Sequence, residues 1–497
     1  MPGEGLAKQV SGSLPEAEQT AGEHAFGLSG VMRAIRMLHL PRIAGVPGSA
    51  ATVLLATLLF VQLLPFTGGP NAQALSLSEF RRVFDVLEDR EFHFGTEVAD
   101  PLSPLAALLA REQRFPLIDP SGSLDPFFAA LQRAESGQLK KRIHILHYGD
   151  SPTTADLITA DIRERLQSRF GNGGYGFNLI APPWGWYHHR GIHIRASGWN
   201  VVSPTLGMKG DGKYGLGGVS FEGHPGAYSV VTLQDHSQTH VRVYFQRQPG
   251  GGSFALAANG QRIAETATDA EQSTPSAESY AIPPGTGEVS LRVSSGNVRV
   301  FGMEFSRSRP GIIYSSLGLN GANTTTLSRN MDAAHWSQQL RAADPQLVVI
   351  NYGTNESVYG SFVTKYLEAE LRRLIGRVRA AVPNSAILIM SPMDRGIRGE
   401  SGEIVTPETI PDIVRIQEKV AGEMKVAFFN TYEAMGGAGT MAKWYKKTPR
   451  LVGGDYIHPM PAGAKLVGDL LFEGLNEQYQ RYKLEEIQKS LAAKPRT

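Results

Sequence analysis

Short apolar runs alternate with longer amphipathic stretches over most of this chain. Ile143-His-Ile-Leu-His-Tyr, Ile312-Ile-Tyr-Ser-Ser, Leu347-Val-Val-Ile-Asn-Tyr, Ala386-Ile-Leu-Ile-Met and Val426-Ala-Phe-Phe read as buried strands. Helical spacing of apolar residues predicts helices over 154–170, 362–381 and 411–424 between them. Continuous apolar strands separated by helices predict an α/β fold of three layers, with a parallel sheet covered on both faces. Between 192 and 309 the pattern changes to short alternating runs such as His240-Val-Arg-Val-Tyr-Phe and Val289-Ser-Leu-Arg-Val, separated by Gly, Asn, Pro and Ser. That is the signature of an antiparallel β-sandwich. Because α/β strands resume afterwards, the sandwich is predicted to be an insertion dividing the α/β domain into 141–191 and 310–497.

Upstream, 75–140 reads as a helical lead-in, with Pro126-Phe-Phe-Ala-Ala-Leu at helical spacing. Residues 1–48 are rich in Gly, Ser and Glu without sustained periodicity, and read as a disordered tail. Segment 49–74 holds an apolar run, Ala51 to Phe66, preceded by Arg33, Arg36 and Arg42 and followed by no basic residue until Arg81. This asymmetry predicts export of the rest of the chain to the periplasm or cell envelope. As a helix the run spans about 24 Å against a hydrocarbon core of about 30 Å. It therefore fits both a cleaved signal, with Ala72-Gln73-Ala74 as cleavage site, and a short membrane anchor through 49–66.

Composition narrows the chemistry. The chain has 49 Lys and Arg against 47 Asp and Glu, and no basic block, so nucleic acid is not an expected partner. Its 497 residues contain no Cys, which excludes disulfides, thiolate metal sites and a Cys nucleophile.

Serine chemistry needs a base and a group that orients the base. Gly149-Asp150-Ser151 lies at a strand-to-helix turn, with Thr153 and Asp156 spaced as a capping box, so that the hydroxyl is exposed and the Ser151 N–H points outward. Alone, such a triplet is more often an N-cap or Asx turn than a nucleophile. Gly454-Asp455-Tyr-Ile-His458-Pro places a carboxylate and an imidazole three residues apart, able to face one cavity. No Gly-x-Ser-x-Gly elbow is present, which disfavours the α/β-hydrolases. Gly353-Thr-Asn355-Glu and Leu319-Asn-Gly321-Ala each follow a strand, at the carboxyl edge where parallel sheets bind ligands, although each taken singly reads more often as an ordinary turn.

These four blocks, in this order and each at a strand end, resemble those of the SGNH (GDSL) hydrolase superfamily. The resemblance covers about 143–191 and 311–475. It implies Ser151 as nucleophile, His458 as base, Asp455 as its orienter, and Ser151, Gly321 and Asn355 as oxyanion donors, with no cofactor or metal required. His147-Tyr-Gly-Asp-Ser, Phe170-Gly-Asn-Gly-Gly-Tyr-Gly-Phe and the inserted sandwich resemble, more narrowly, the exported bacterial peptidoglycan O-acetylesterases with a carbohydrate-binding-module-like insert. That likeness implies an acetylated polysaccharide as substrate. An acetyltransferase using the same triad and a non-catalytic glycan-binding protein are the alternatives.

Further candidates have competing structural readings. Trp184 and Trp186, in Trp-Gly-Trp-Tyr-His-His, fit sugar stacking or an aromatic hinge into the insert, while metal binding by the neighbouring histidines lacks a carboxylate at ligand spacing. Asp394 and Arg395 follow a strand and fit substrate binding, with Arg395 holding a carboxylate, or an internal ion pair. Gly210-Asp-Gly-Lys-Tyr-Gly reads as a turn, not a calcium loop. Lys443, Lys446, Lys447 and Arg450 read as solvated surface.

Overall fold

The computed structural model describes residues 113–206 and 210–492. The expectations for 1–48, for the export or anchor segment 49–74 and for the lead-in before 113 lie outside the described residues. Among the described residues, no helix is long and apolar enough to cross a membrane.

Seven strands form the central sheet: β1 (Leu117–Ile118), β2 (Ile143–Gly149), β3 (Asn172–Gly174), β4 (Ile312–Gly318), β5 (Leu347–Asn351), β6 (Ala386–Met390) and β7 (Ala427–Phe429). Their order is β1-β7-β6-β5-β2-β4-β3, and only the β1–β7 pair is antiparallel. All seven residues of β2 are buried, as its apolar run predicts for a strand covered on both faces.

The strand period of two sorts side chains into two cores. Ile143 and Ile145 of β2, Val349 and Leu388 point toward helices α1 (Asp125–Glu135), α2 (Leu157–Phe170) and α6 (Pro461–Ala492). Leu146 and Tyr148 of β2, Val348 and Ile350 point the other way, toward α3 (Ala333–Ala343), α4 (Leu367–Ala381) and α5 (Thr409–Glu423). This gives the expected three layers.

The antiparallel region lies between β2 and β4 in sequence. One group of strands runs Thr274–Ala281, His240–Arg247 and Val298–Ser306, and another contains Ile192–Val202, Ser220–Leu233, Glu288–Ser295, Ser253–Ala258 and Gln261–Ala267. The groups join where Val298, Arg299 and Val300 pair with Gly223, Glu222 and Phe221, so hydrogen bonding is continuous. Phe245 and Phe254, one from each group, meet edge to face with ring centroids 5.2 Å apart. Pairing also takes in Gly176–Asn178, so the β-rich unit begins ahead of Ile192.

Two helical expectations are corrected. The stretch 154–170 is broken: Ser151–Thr154 forms one short helical turn, Asp156 adopts a left-handed conformation (φ 51°), and α2 starts at Leu157. No Thr153–Asp156 capping box forms, because the Asp156 carboxylate is taken by Arg163 Nη2 (2.7 Å) and the Thr159 hydroxyl (2.6 Å), while Thr153 Oγ1 has no partner. The stretch 362–381 likewise divides at Tyr366 into Gly360–Lys365 and α4.

Candidate active site

The carboxyl ends of the adjacent strands β4, β2 and β5 carry the first three blocks. β2 ends at Gly149, which is in register with Gly318 of β4 and Asn351 of β5. A Cβ at Gly149 would overlap the Thr153 hydroxyl, and one at Gly318 would overlap the Thr154 backbone nitrogen. Glycine at these two positions lets the Ser151–Thr154 turn fold back against the sheet edge, where Ser316 Oγ donates to the Thr153 carbonyl (2.8 Å).

Ser151 Oγ lies 2.7 Å from His458 Nε2, and His458 Nδ1 lies 2.6 Å from Asp455 Oδ2. The loop holding the last two residues is organised by Asp455. Its Oδ1 accepts the N–H groups of Ile457 (3.0 Å) and His458 (3.1 Å), and the Gly453 N–H donates to the His458 carbonyl (2.9 Å). Tyr456 turns the chain between them with φ 58°, a left-handed conformation uncommon for a bulky side chain. Burial raises the Asp455 pKa, but the hydrogen bonds from the His458 ring and from both backbone groups outweigh it and hold the carboxyl below its usual range. With Nδ1–H directed at the carboxylate, Nε2 is left to accept the serine proton.

Gly321 (φ 74°) sits at an exposed turn after β4, and the Leu319 N–H donates to the Gly149 carbonyl (3.0 Å), tying this turn to the end of β2. Asn355 Nδ2 donates to the Ala322 carbonyl (2.8 Å), which fixes the amide beside Gly321 and leaves its second N–H for another acceptor. The donors expected around the serine are thus held on neighbouring loops by direct contacts.

Two acids behind the serine escaped the sequence reading as a pair. The Asp150 pKa is pushed up to about 7 by burial and then by the Glu356 charge, against a hydrogen bond from Thr354. Glu356 is also buried, with Oε1 accepting the Thr324 N–H (2.8 Å) and hydroxyl (2.6 Å). Asp156 was missed as an anchor. Besides Arg163, its carboxylate accepts the Arg190 N–H (2.9 Å), fastening the loop that carries Trp186 to the start of α2. The spacing of Asp156 and Arg163, seven residues apart, was the one available signal.

The substrate-binding candidates separate. Asp394 is buried and accepts the Thr406 hydroxyl (2.6 Å) and the Met441 N–H (2.8 Å), so it fastens loops and is not presented to a ligand. Trp184 is likewise packed into the core with no face to offer. Trp186 is 53 % exposed, on a loop whose His188 N–H reaches the Thr154 carbonyl (3.4 Å). Arg395 is half-buried, with Nη1 donating to Ser357 Oγ (2.7 Å). It forms no ion pair with Asp394. Among the described residues no group of three or more His, Asp or Glu side chains is arranged to hold a metal.

Residues 292–466 match the GDSL-like lipase/acylhydrolase family. That segment, the later part of the α/β domain, is thus similar to the GDSL-like hydrolases. The matched segment contains Gly321, Asn355, Asp455 and His458, while Ser151 lies before it, separated by the β-rich insertion. Among solved structures, a peptidoglycan O-acetylesterase superposes with a TM-score of 0.63 at 23% identity, over 73% of this chain and 99% of that one. A GDSL-like lipase from Parabacteroides merdae is 20% identical over 34% of this chain and 74% of its own, with a TM-score of 0.27. Est24, a carbohydrate acetylesterase from Sinorhizobium meliloti, is 18% identical over 33% of this chain and 78% of its own, with a TM-score of 0.25. Only the first of these superpositions bears on the fold. No curated protein matches the chain by sequence.

Proposed function

We propose that this protein is an exported serine esterase of the SGNH type that removes O-acetyl groups from a cell-wall or extracellular polysaccharide, with peptidoglycan as the preferred assignment. The observation that carries the reading is the hydrogen-bonded series Ser151–His458–Asp455, with the His458 and Asp455 side chains each 48% exposed. Ser151 Oγ attacks the acetyl carbonyl as His458 Nε2 takes its proton, and Asp455 stabilises the resulting imidazolium. The oxyanion is received by the N–H groups of Ser151 and Gly321 and by the free N–H of the Asn355 amide, each worth about 2.7 to 4 kcal/mol in the transition state. His458 returns the proton to the departing sugar oxygen. Water, activated by the same imidazole, then releases acetate from the acetyl-serine.

An exposed centre suits an acetyl group carried on a polymer, because a small acyl group needs no deep pocket and the chain has to approach from solvent. Trp186 beside the serine turn offers a ring face to a sugar. The likeness to a peptidoglycan O-acetylesterase supports the choice of polymer, and export through 49–74, cleaved or anchored, brings the enzyme to it.

The test is acetate release from an aryl acetate and from O-acetylated peptidoglycan by the full chain in detergent. Ser151→Ala is expected to lower turnover of both by about 1000-fold or more. Equal activity of wild type and variant on the aryl ester would falsify the triad assignment. Wild-type activity on that ester with none on peptidoglycan would reject the substrate. Acetate appearing on an added acceptor glycan, instead of in solution, would make the protein a transferase.

A further inference from the structure

Arg395 stands between two parts of the site. Its successor, Gly396, donates its N–H to the Tyr456 carbonyl (2.9 Å), between Asp455 and His458 in the chain. Its own Nη1 donates to Ser357 Oγ, two residues beyond Asn355. Ser357 passes its proton to the Thr354 carbonyl (2.6 Å), so its hydroxyl is free to accept from the guanidinium. The Arg395–Gly396 segment therefore joins the loop that carries Asn355, through the Arg395 side chain, to the loop that carries Asp455 and His458, through the Gly396 backbone.

The charge of Arg395 is not neutralised there. No carboxylate of the described residues pairs with Arg395, whereas Arg163, Arg165, Arg299 and Arg372 each have one within 3.0 Å. Asp394, the nearest acid in sequence, is committed to Thr406 and Met441. The Arg395 Nε is buried without an acceptor. Burial lowers its pKa from the usual arginine value with no acid to offset it. A half-buried cation without a partner is costly, and a ligand that completes its hydrogen bonding removes that cost.

The geometry points to Arg395 as the anchor for a carboxylate on the alcohol side of the ester, making acetylated acidic glycans the preferred substrates over neutral ones. This rests on reading the site as an acetylesterase: the acetyl side carries only a methyl group, so any anionic substituent belongs to the leaving alcohol. A planar guanidinium with unused donors matches a carboxylate in two-point contact.

Two substrate pairs differing in charge test the assignment with the full chain in detergent. One pair is 3-acetoxybenzoate and its methyl ester. The other is O-acetylated muropeptides before and after methyl esterification of their carboxylates. Wild type is expected to prefer the charged member of each pair, the preference fading as salt is added. Arg395→Gln is expected to cut the charged-to-neutral ratio of kcat/KM by about 10- to 100-fold, the worth of a charge-assisted contact, with Arg395→Lys retaining part of it. Circular dichroism melts establish that the variants fold; if Arg395→Gln does not, the Lys variant and the salt dependence decide. The inference is overturned if wild type shows no charge preference in either pair, or if the Gln variant keeps it. Should wild type cleave the aryl acetates and no muropeptide, the glycan reading falls while the aryl pair still decides the role of Arg395. An enzyme inactive on every ester overturns both.

Discussion

Asp150 and Asp455 are both aspartates next to the Ser151–His458 pair, and their surroundings drive them in opposite directions. Asp455 is held below the usual carboxylate range by its donors, so it stays ionised into the acid region and keeps His458 oriented there. Asp150, buried against Glu356, titrates near 7. An unfolded chain releases this proton in the ordinary carboxylate range, whereas the folded chain keeps it until about pH 7. Between those limits the native state binds more protons than the unfolded one, so stability falls as pH rises. Asp150→Asn preserves the neutral shape and removes that slope. Thermal unfolding at pH 5 and pH 8 is therefore expected to show the variant gaining on wild type at the higher pH; a variant that loses ground at pH 8 contradicts the assignment. The aspartate was visible in the Gly-Asp-Ser triplet, but Glu356 comes from a distant block, and only the fold shows that the two acids share one buried site.

At the scale of elements, the Ser151–Thr154 turn depends on how closely β4 approaches it. Gly318 meets the Thr154 backbone nitrogen, which cannot rotate aside as a flexible side chain would. Gly318→Ala is thus expected to displace the Ser151–Thr154 turn. Since misplacing a reacting group by about 1 Å can cost about 100-fold, kcat on an aryl acetate is expected to drop by at least 10-fold. Steady-state kinetics alongside a melt checks this, and unchanged kcat means that the turn tolerates the methyl group. Strands and blocks were legible because each is a local pattern: an apolar run, then a turn bearing polar groups. The break in 154–170 was not, because the residues that create it are remote. Asp156 leaves its capping role for Arg163, two turns further on, and for the Arg190 backbone on another loop. Trp184 and Asp394 were misplaced for the same reason. A residue type announces what it is able to bind, while its orientation is decided by packing against segments distant in sequence.

For the whole molecule, the spacing of strands exposed the insertion, but not how firmly it is attached. Alternating patterns mark which face of a strand is buried and are silent about the surface that buries it. Here Val231, Phe245, Phe254 and Leu291 of the β-rich unit belong to the same continuous core as Tyr148, Val348 and Trp336 of the α/β domain. Polar contacts cross the boundary as well: the Tyr148 hydroxyl donates to the Leu216 carbonyl (3.1 Å), and Gln339 Nε2 donates to the Tyr214 carbonyl (2.9 Å). Phe177, entering the insertion, packs edge to face on Tyr244 at 5.3 Å. Each large side chain in such a core stabilises by about 1.5 to 3 kcal/mol, so separating the two parts exposes several such contributions at once. The insertion is accordingly expected to open together with the α/β layers. Native-state hydrogen exchange of the full chain tests this by comparing strands 240–247 and 288–295 with β5 and β6. Similar opening free energies are expected in all four. Protection several kcal/mol lower in the β-rich strands would instead mark the insertion as an independently unfolding module, with a surface free to move relative to Ser151.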